Sequence, residues 1–190
     1  MACCFRMLQY IIALMLLAAI GLLVTAACVD YWWKLEITGM ESGNKGLWRT
    51  CLPKVVGTNS KTCSQRDDIF QFSQHKNLDM VLATLCGGGV CYIISVVLIF
   101  ITICQKYPTK CFILVEAIVT FLGVGACAFS VTWAILEIQD ENLNWAFYLL
   151  YAAGGLGVLT FFFSLVLLCM RAPGAYHSTR RDDEIIMLSR

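Results

Sequence analysis

Four apolar stretches, residues 8–29, 80–104, 111–136 and 146–170, each reach the roughly 20 residues that a helix needs to cross the hydrocarbon core of a bilayer. A chain of 190 residues carrying four of them has room for one compact membrane domain and little else. With 59% hydrophobic and 14% charged residues and a mean hydropathy of +0.72, it is far more apolar than an ordinary soluble domain. The expected domain covers residues 1–171. The remainder, 172–190, contains Pro173, Gly174 and mixed charge and reads as a disordered tail.

Arg6 precedes the first stretch and Thr25-Ala26-Ala27 closes it with small residues, as in a cleaved signal peptide. Its apolar run, however, exceeds a signal core of roughly 7–15 residues, so retention as the first span is expected. Basic residues set the orientation. Lys106 and Lys110 crowd the short connection between spans two and three, whereas the last connection carries Glu137, Asp140 and Glu141 and no Lys or Arg. Raw totals do not decide, since the long loop holds as many basic residues as the other segments together. Density places both termini in the cytosol. The chain is then a multi-pass plasma-membrane protein with residues 30–79 outside.

Cysteine placement agrees. Of 11 cysteines, Cys3, Cys4, Cys104, Cys111 and Cys169 fall at the cytosolic ends of the spans, where they are candidates for S-palmitoylation or simply small residues tolerated by the membrane. Cys51 and Cys63 alone lie in a polar loop facing the oxidising side, and a disulfide between them is expected. It would close a loop of about 13 residues and contribute about 3 kcal/mol.

Small residues recur in every span: Ala18, Ala19 and Gly21; Gly87, Gly88 and Gly89; Gly123, Gly125 and Ala126; Ala153, Gly154 and Gly157. In lipid, where apolar burial does not drive helices together, such residues permit close packing. Short connections at 105–110, with Pro108, and at about 137–145 make consecutive helices antiparallel neighbours, in an up-down-up-down left-handed bundle. Glu116 enters the third span about one and a half turns from its start, a depth from which it reaches the interface or a polar neighbour. Asp30 marks the exit of the first span, and Tyr31, Trp32 and Trp33 beside it belong to an interfacial aromatic belt.

The segment from 32 to 79 is the only long connection. Trp33-Leu35-Ile37 alternates as a strand, Leu47 with Trp48 and Thr50 reads as another, and Gly39, Gly43, Gly46 and Gly57 punctuate them. The expectation is a small antiparallel sheet over the bundle, too small to be stable alone. Asp30-x-Trp32, then Gly46-Leu47-Trp48-x-x-Cys51, then Cys63, in the first loop of a four-span chain, resembles the superfamily of claudins, epithelial membrane proteins, peripheral myelin protein and calcium-channel gamma subunits. The resemblance runs along nearly the whole chain in span order. It implies an all-α membrane fold, a left-handed four-transmembrane-helix bundle topped by a small extracellular antiparallel β-sheet, with tryptophans anchoring the sheet and the two cysteines bonded. Two features depart from the claudin pattern. The second extracellular loop, Ile138 to Trp145, is too short to reach an opposing cell, and the end Met187-Leu188-Ser189-Arg190 lacks the aliphatic terminus that enters a PDZ groove, so no PDZ partner is expected. Ser60-Lys61-Thr62-Cys63 and Ile69-Phe70-Gln71-Phe72 are similar to the gamma subunits in this region.

The net charge of +1 and the lack of basic runs interleaved with aromatics outside the spans argue against a nucleic-acid partner. Gly87-Gly88-Gly89 lacks the Lys-Ser/Thr of a phosphate loop. His75 and His177 lie in separate polar segments, so neither a paired-His metal site nor a Ser-His-Asp set is apparent, and the adjacent Asp67 and Asp68 read as a solvated turn. Neither catalysis nor a cofactor is expected. The leading expectation is an organiser of cell contacts or of a paracellular barrier or pore, working by lateral association with itself or related four-span proteins among membrane lipids. The alternative is an auxiliary subunit of an ion channel, and a weaker third reading is a myelin-like role in membrane organisation and trafficking. From Lys34 to Asp79 the loop holds seven basic residues (Lys34, Lys45, Arg49, Lys54, Lys61, Arg66, Lys76) and five acidic ones (Glu36, Glu41, Asp67, Asp68, Asp79). Any pore selectivity or partner preference therefore rests on local placement, with Lys54, Lys61 and Arg66 favouring anions within about a Debye length and Asp67 and Asp68 beside them.

Overall fold

A computed structural model describes residues 2–29, 31–35, 43–52, 62–65, 76–105, 110–137 and 142–170. Four helices dominate: α1 Ala2–Cys28, α2 Lys76–Cys104, α3 Lys110–Glu137 and α4 Trp145–Cys169. The shortest has 25 residues and is about 37 Å long at 1.5 Å per residue, more than the roughly 30 Å of hydrocarbon it must cross. All four are apolar enough to span a membrane. This is a multi-pass membrane protein.

The helix ends differ a little from expectation. α1 begins at Ala2 rather than at residue 8, because Cys3, Cys4 and Phe5 continue the helical pattern past Arg6 and Phe5 is buried. The side chain of Arg6 has a local use: its Nη1 donates to the Ile103 carbonyl at 2.7 Å, near the end of α2 where no intrahelical donor remains. α4 starts at Trp145 because Asn144 caps it, its Oδ1 accepting from the Trp145 N–H at 2.8 Å.

The helices pack in a ring, α1 on α2 and α4, and α3 on α2 and α4, with the α2–α3 pair the most extensive. Cross-helix hydrogen bonds fix the antiparallel sense. Thr84 Oγ1 pairs with Ser130 Oγ at 2.6 Å and Thr120 Oγ1 with Ser95 Oγ at 2.9 Å, so α2 rises as α3 descends. Gln9 Nε2 donates to Thr102 Oγ1 at 3.2 Å between α1 and α2. Such bonds average only about 0.6 kcal/mol each in membranes, so most cohesion comes from packing.

The packing has one dominant knob. Tyr92 of α2 is fully buried and its ring enters notches left by Gly123 of α3 and Gly157 of α4. A Cβ on Gly123 would lie 2.7 and 2.9 Å from Tyr92 ring carbons, and one on Gly157 would meet the Tyr92 hydroxyl and Val124 Cγ2, the latter at 2.9 Å. Gly88 likewise lies against Cys127 and Ala126. By contrast Gly21, Gly87, Gly89, Gly125 and Gly155 have open space where a Cβ would be. Ala18 is exposed while Ala19 and Ala153 are buried. Only part of each of the first three small-residue sets therefore packs helices together, whereas Ala153, Gly154 and Gly157 of the fourth all face a neighbour. Outward faces carry Leu14, Ile93, Val97, Phe121, Leu122 and Phe162, the inverse of a soluble surface.

The described backbone also forms five short strands: β1 Trp33–Leu35, β2 Gly43–Lys45, β3 Arg49–Leu52, β4 Thr62–Gln65 and β5 Asn142–Leu143. They pair antiparallel in the order β4-β3-β2-β1-β5. In register, Trp33 lies opposite Lys45 on one side and Leu143 on the other, and Cys51 opposite Cys63. Leu47 and Trp48, read from sequence as part of a strand, instead form a bend before β3. The reason is tertiary: Leu47 is 1% exposed and the Trp48 indole is drawn to α1. Ile37, Gly39 and Gly57, the Pro108 connection and the 171–190 tail lie outside the described residues.

Candidate functional site: the junction between α1 and the strands

The last turn of any helix leaves carbonyls without intrahelical donors. At the end of α1 two indoles supply them. Trp32 Nε1 donates to the Ala26 carbonyl at 2.7 Å, and Trp48 Nε1 to the Ala27 carbonyl at 2.6 Å. The backbone adds a third tie, from Val29 N–H to the Thr25 carbonyl at 3.2 Å. Indole has one donor and no acceptor and suits this task, because the rest of the ring fills apolar space.

Trp32 is fully buried, and its ring meets Phe147 of α4 edge-on, with centroids 6.4 Å apart and planes at 73°. Its backbone carbonyl accepts from Asn144 N–H at 3.0 Å. One residue thus joins the end of α1, the start of α4 and, through the adjoining β1–β5 pair, the segment leading into α4. Beside it Tyr31 stacks on Trp145, centroids 5.9 Å apart, and both remain exposed. Gly46 and Leu47 are buried beneath the bend, and Trp48 is half-buried. Trp32, Gly46, Leu47 and Trp48 are therefore fasteners in this structure. Their arrangement ties the described parts of the polar segment to the bundle.

Cys51 is disulfide-bonded and half-buried, and Cys63 faces it across the β3–β4 pair. Of the other sequence candidates, Asp30, Lys54, Lys61, Arg66, Asp67, Asp68, His75 and His177 lie outside the described residues. Cys3, Cys4, Cys104, Cys111 and Cys169 are free and exposed, and all sit where α1 and α3 begin and α2 and α4 end, at the opposite end of the bundle from the junction. Among the described residues no group of three or more His, Cys, Asp or Glu comes together.

Glu116 does not reach an interface. It is fully buried among α2, α3 and α4, and its Oε1 accepts from Thr120 Oγ1 at 3.0 Å. Sequence reading missed four contributors to the junction: Asn144, Phe147 and the Ala26 and Ala27 carbonyls. Asn144 had a signal, an Asn immediately before an apolar run being an N-cap pattern. The others had none, since Phe147 is one of many apolar residues in its span and a backbone carbonyl has no sequence signature.

No protein-family model matches the chain, and no curated protein matches it.

Proposed function

We propose that the chain is a non-enzymatic, claudin-like membrane protein of the cell surface that organises cell contacts, or a paracellular barrier or pore, by associating side by side with copies of itself or related four-span proteins. The observation that carries this reading is the double indole clamp. The Trp32 and Gly46-Leu47-Trp48 residues that bear the claudin resemblance fasten the described parts of the polar segment to one end of the bundle. Each fastened residue has less conformational freedom left to lose on association, which favours repeated lateral pairing. Among the described residues β4 ends the strand order, and an edge strand offers backbone donors and acceptors to a neighbour. In this reading the junction lies outside the cell, both termini are cytosolic, and the Cys51 bridge closes on Cys63 to brace an extracellular sheet. Lys54, Lys61, Arg66, Asp67 and Asp68 line the pore or meet the partner, and the five free thiols at the other end are available for lipidation.

One observation favours a second reading, an auxiliary subunit of an ion channel. β5 draws the segment between α3 and α4 down onto β1, and only seven positions, 138–144, separate Glu137 from Trp145, leaving no long loop to meet an opposing cell. Such a subunit would pack on a larger membrane protein and shift its open-closed equilibrium by binding one state better.

Imaging of tagged chain in cells that lack junction strands separates the two. Concentration at borders between two expressing cells supports the organiser. Even distribution over the free surface, with recruitment only when a channel is co-expressed, supports the auxiliary subunit.

A further inference from the structure

Glu116 is the one carboxyl among the described residues that is buried in the bundle interior, and its surroundings define what occupies it. Three helices supply its polar neighbours: Ser95 from α2, Thr120 from its own helix and Ser164 from α4. Thr120 Oγ1 lies 2.9 Å from Ser95 Oγ and 3.0 Å from Glu116 Oε1. A hydroxyl has one proton to give. When Thr120 gives it to the carboxyl, the Ser95 contact runs from Ser95 to Thr120.

On the other side the Ser164 hydroxyl donates its proton to the Thr160 carbonyl at 3.0 Å. With its proton on that carbonyl, the Ser164 oxygen is left with lone pairs only. Glu116 Oε2 is buried and has no hydrogen-bond partner, and Ser164 is the second hydroxyl neighbour of the carboxyl. No ionisable side chain among the described residues acts on the carboxyl to balance a negative charge. In hydrocarbon an ionised carboxylate with no cation is costly, and a buried acceptor left without a donor is rare.

We propose that Glu116 is a proton-binding site: the carboxyl is held in its acid form, with the proton on Oε2 donated to Ser164 Oγ. One proton then completes a chain in which every donor points the same way, from Ser95 through Thr120, Glu116 and Ser164 to the Thr160 carbonyl, tying α2, α3 and α4 together. The site deepens the bundle rather than the junction, and it does not depend on the organiser reading. It makes the three-helix joint depend on the occupancy of one carboxyl. A small monovalent cation, which would neutralise the same charge, is the competing occupant.

Infrared spectroscopy of the full chain in lipid nanodiscs at neutral pH decides between them, with Glu116→Gln as the reference. The amide of the variant is neutral and keeps an N–H donor for Ser164, and far-ultraviolet circular dichroism checks that it folds. The difference spectrum is expected to lose the carbonyl stretch of a protonated carboxyl, a band that shifts in D2O. Ser164→Ala is expected to move that band to higher frequency by removing its acceptor, and this second readout decides the matter even where Glu116→Gln fails to fold. Loss of the carboxylate stretching pair in place of the acid band overturns the proposal. If that pair also responds to exchange of Na+ for choline, the occupant is a metal cation. An acid band that ignores Ser164→Ala overturns the assignment of the proton to Oε2 and Ser164.

Discussion

Replacing Gly157 with Ala adds a single methyl group at the most crowded point of the bundle. An ideal Cβ there would overlap the Tyr92 hydroxyl and sit 2.8 Å from Tyr92 Cζ and 2.9 Å from Val124 Cγ2. Carbon atoms in favourable contact lie about 3.5–4.0 Å apart, so α4 must back away from α2 and α3 by roughly 0.6–1 Å or Tyr92 must leave its slot. Overpacking of this kind costs about 1–3 kcal/mol, against a gain of about 0.4–1 kcal/mol for Gly→Ala in the unfolded chain. A net destabilisation of about 1–2 kcal/mol follows. Gly155→Ala, two residues away on the same helix with open space at its Cβ, provides the control and should be neutral or slightly stabilising. Tyr92→Phe removes the nearest clashing atom but leaves Cζ and Val124 in place, so the double variant Gly157→Ala/Tyr92→Phe should recover about half of the loss, a coupling readable in a double-mutant cycle. Equilibrium unfolding in mixed micelles, followed by far-ultraviolet circular dichroism, measures all four. Equal stability of Gly157→Ala and Gly155→Ala, or strict additivity of the pair, refutes the notch.

Three other perturbations probe the junction. Trp32→Phe keeps a ring but strands the buried Ala26 carbonyl and should cost about 1–3 kcal/mol, whereas Trp48→Phe, at a half-buried site water can reach, should cost less than about 1 kcal/mol in the same unfolding assay; equal costs contradict the burial argument. Asn144→Ala removes the acceptor for the Trp145 N–H and should lower stability by about 1 kcal/mol, with Asn144→Ser retaining most of it. Cys51→Ser should release one reactive thiol, cost about 3 kcal/mol and reduce delivery to the cell surface, measured by thiol labelling and surface biotinylation; normal delivery with no new thiol contradicts a structural bridge.

The long apolar runs made the four helices legible, because hydrocarbon leaves few alternatives to a helix of about 20 residues. Helix ends were less so: α1 extends to Ala2 and α4 begins at Trp145 behind its Asn144 cap, since capping and a single buried Phe5 decide the ends while bulk hydropathy does not. Which small residues pack was not readable at all. Gly123 and Gly157 look the same in sequence as Gly125 and Gly155, and only the position of the Tyr92 ring separates them. At the junction, Trp32 and Trp48 stood out by type, but their role as caps of the α1 carbonyls depends on chain reversal that no local pattern encodes. Glu116 was visible as an anomaly in an apolar run. That it turns inward to Thr120 and Ser164 follows from hydroxyls on three separate helices converging, a long-range fact.

The most direct test of lateral association is crosslinking in living cells that co-express two copies of the chain carrying different tags, with the crosslinked peptides sequenced by mass spectrometry. The account predicts links between the polar segments of differently tagged copies, through Lys54 or Lys61, that persist when each copy is the sole four-span protein added. Links confined to a different, larger integral protein at fixed stoichiometry, with none between the two tags, would contradict it.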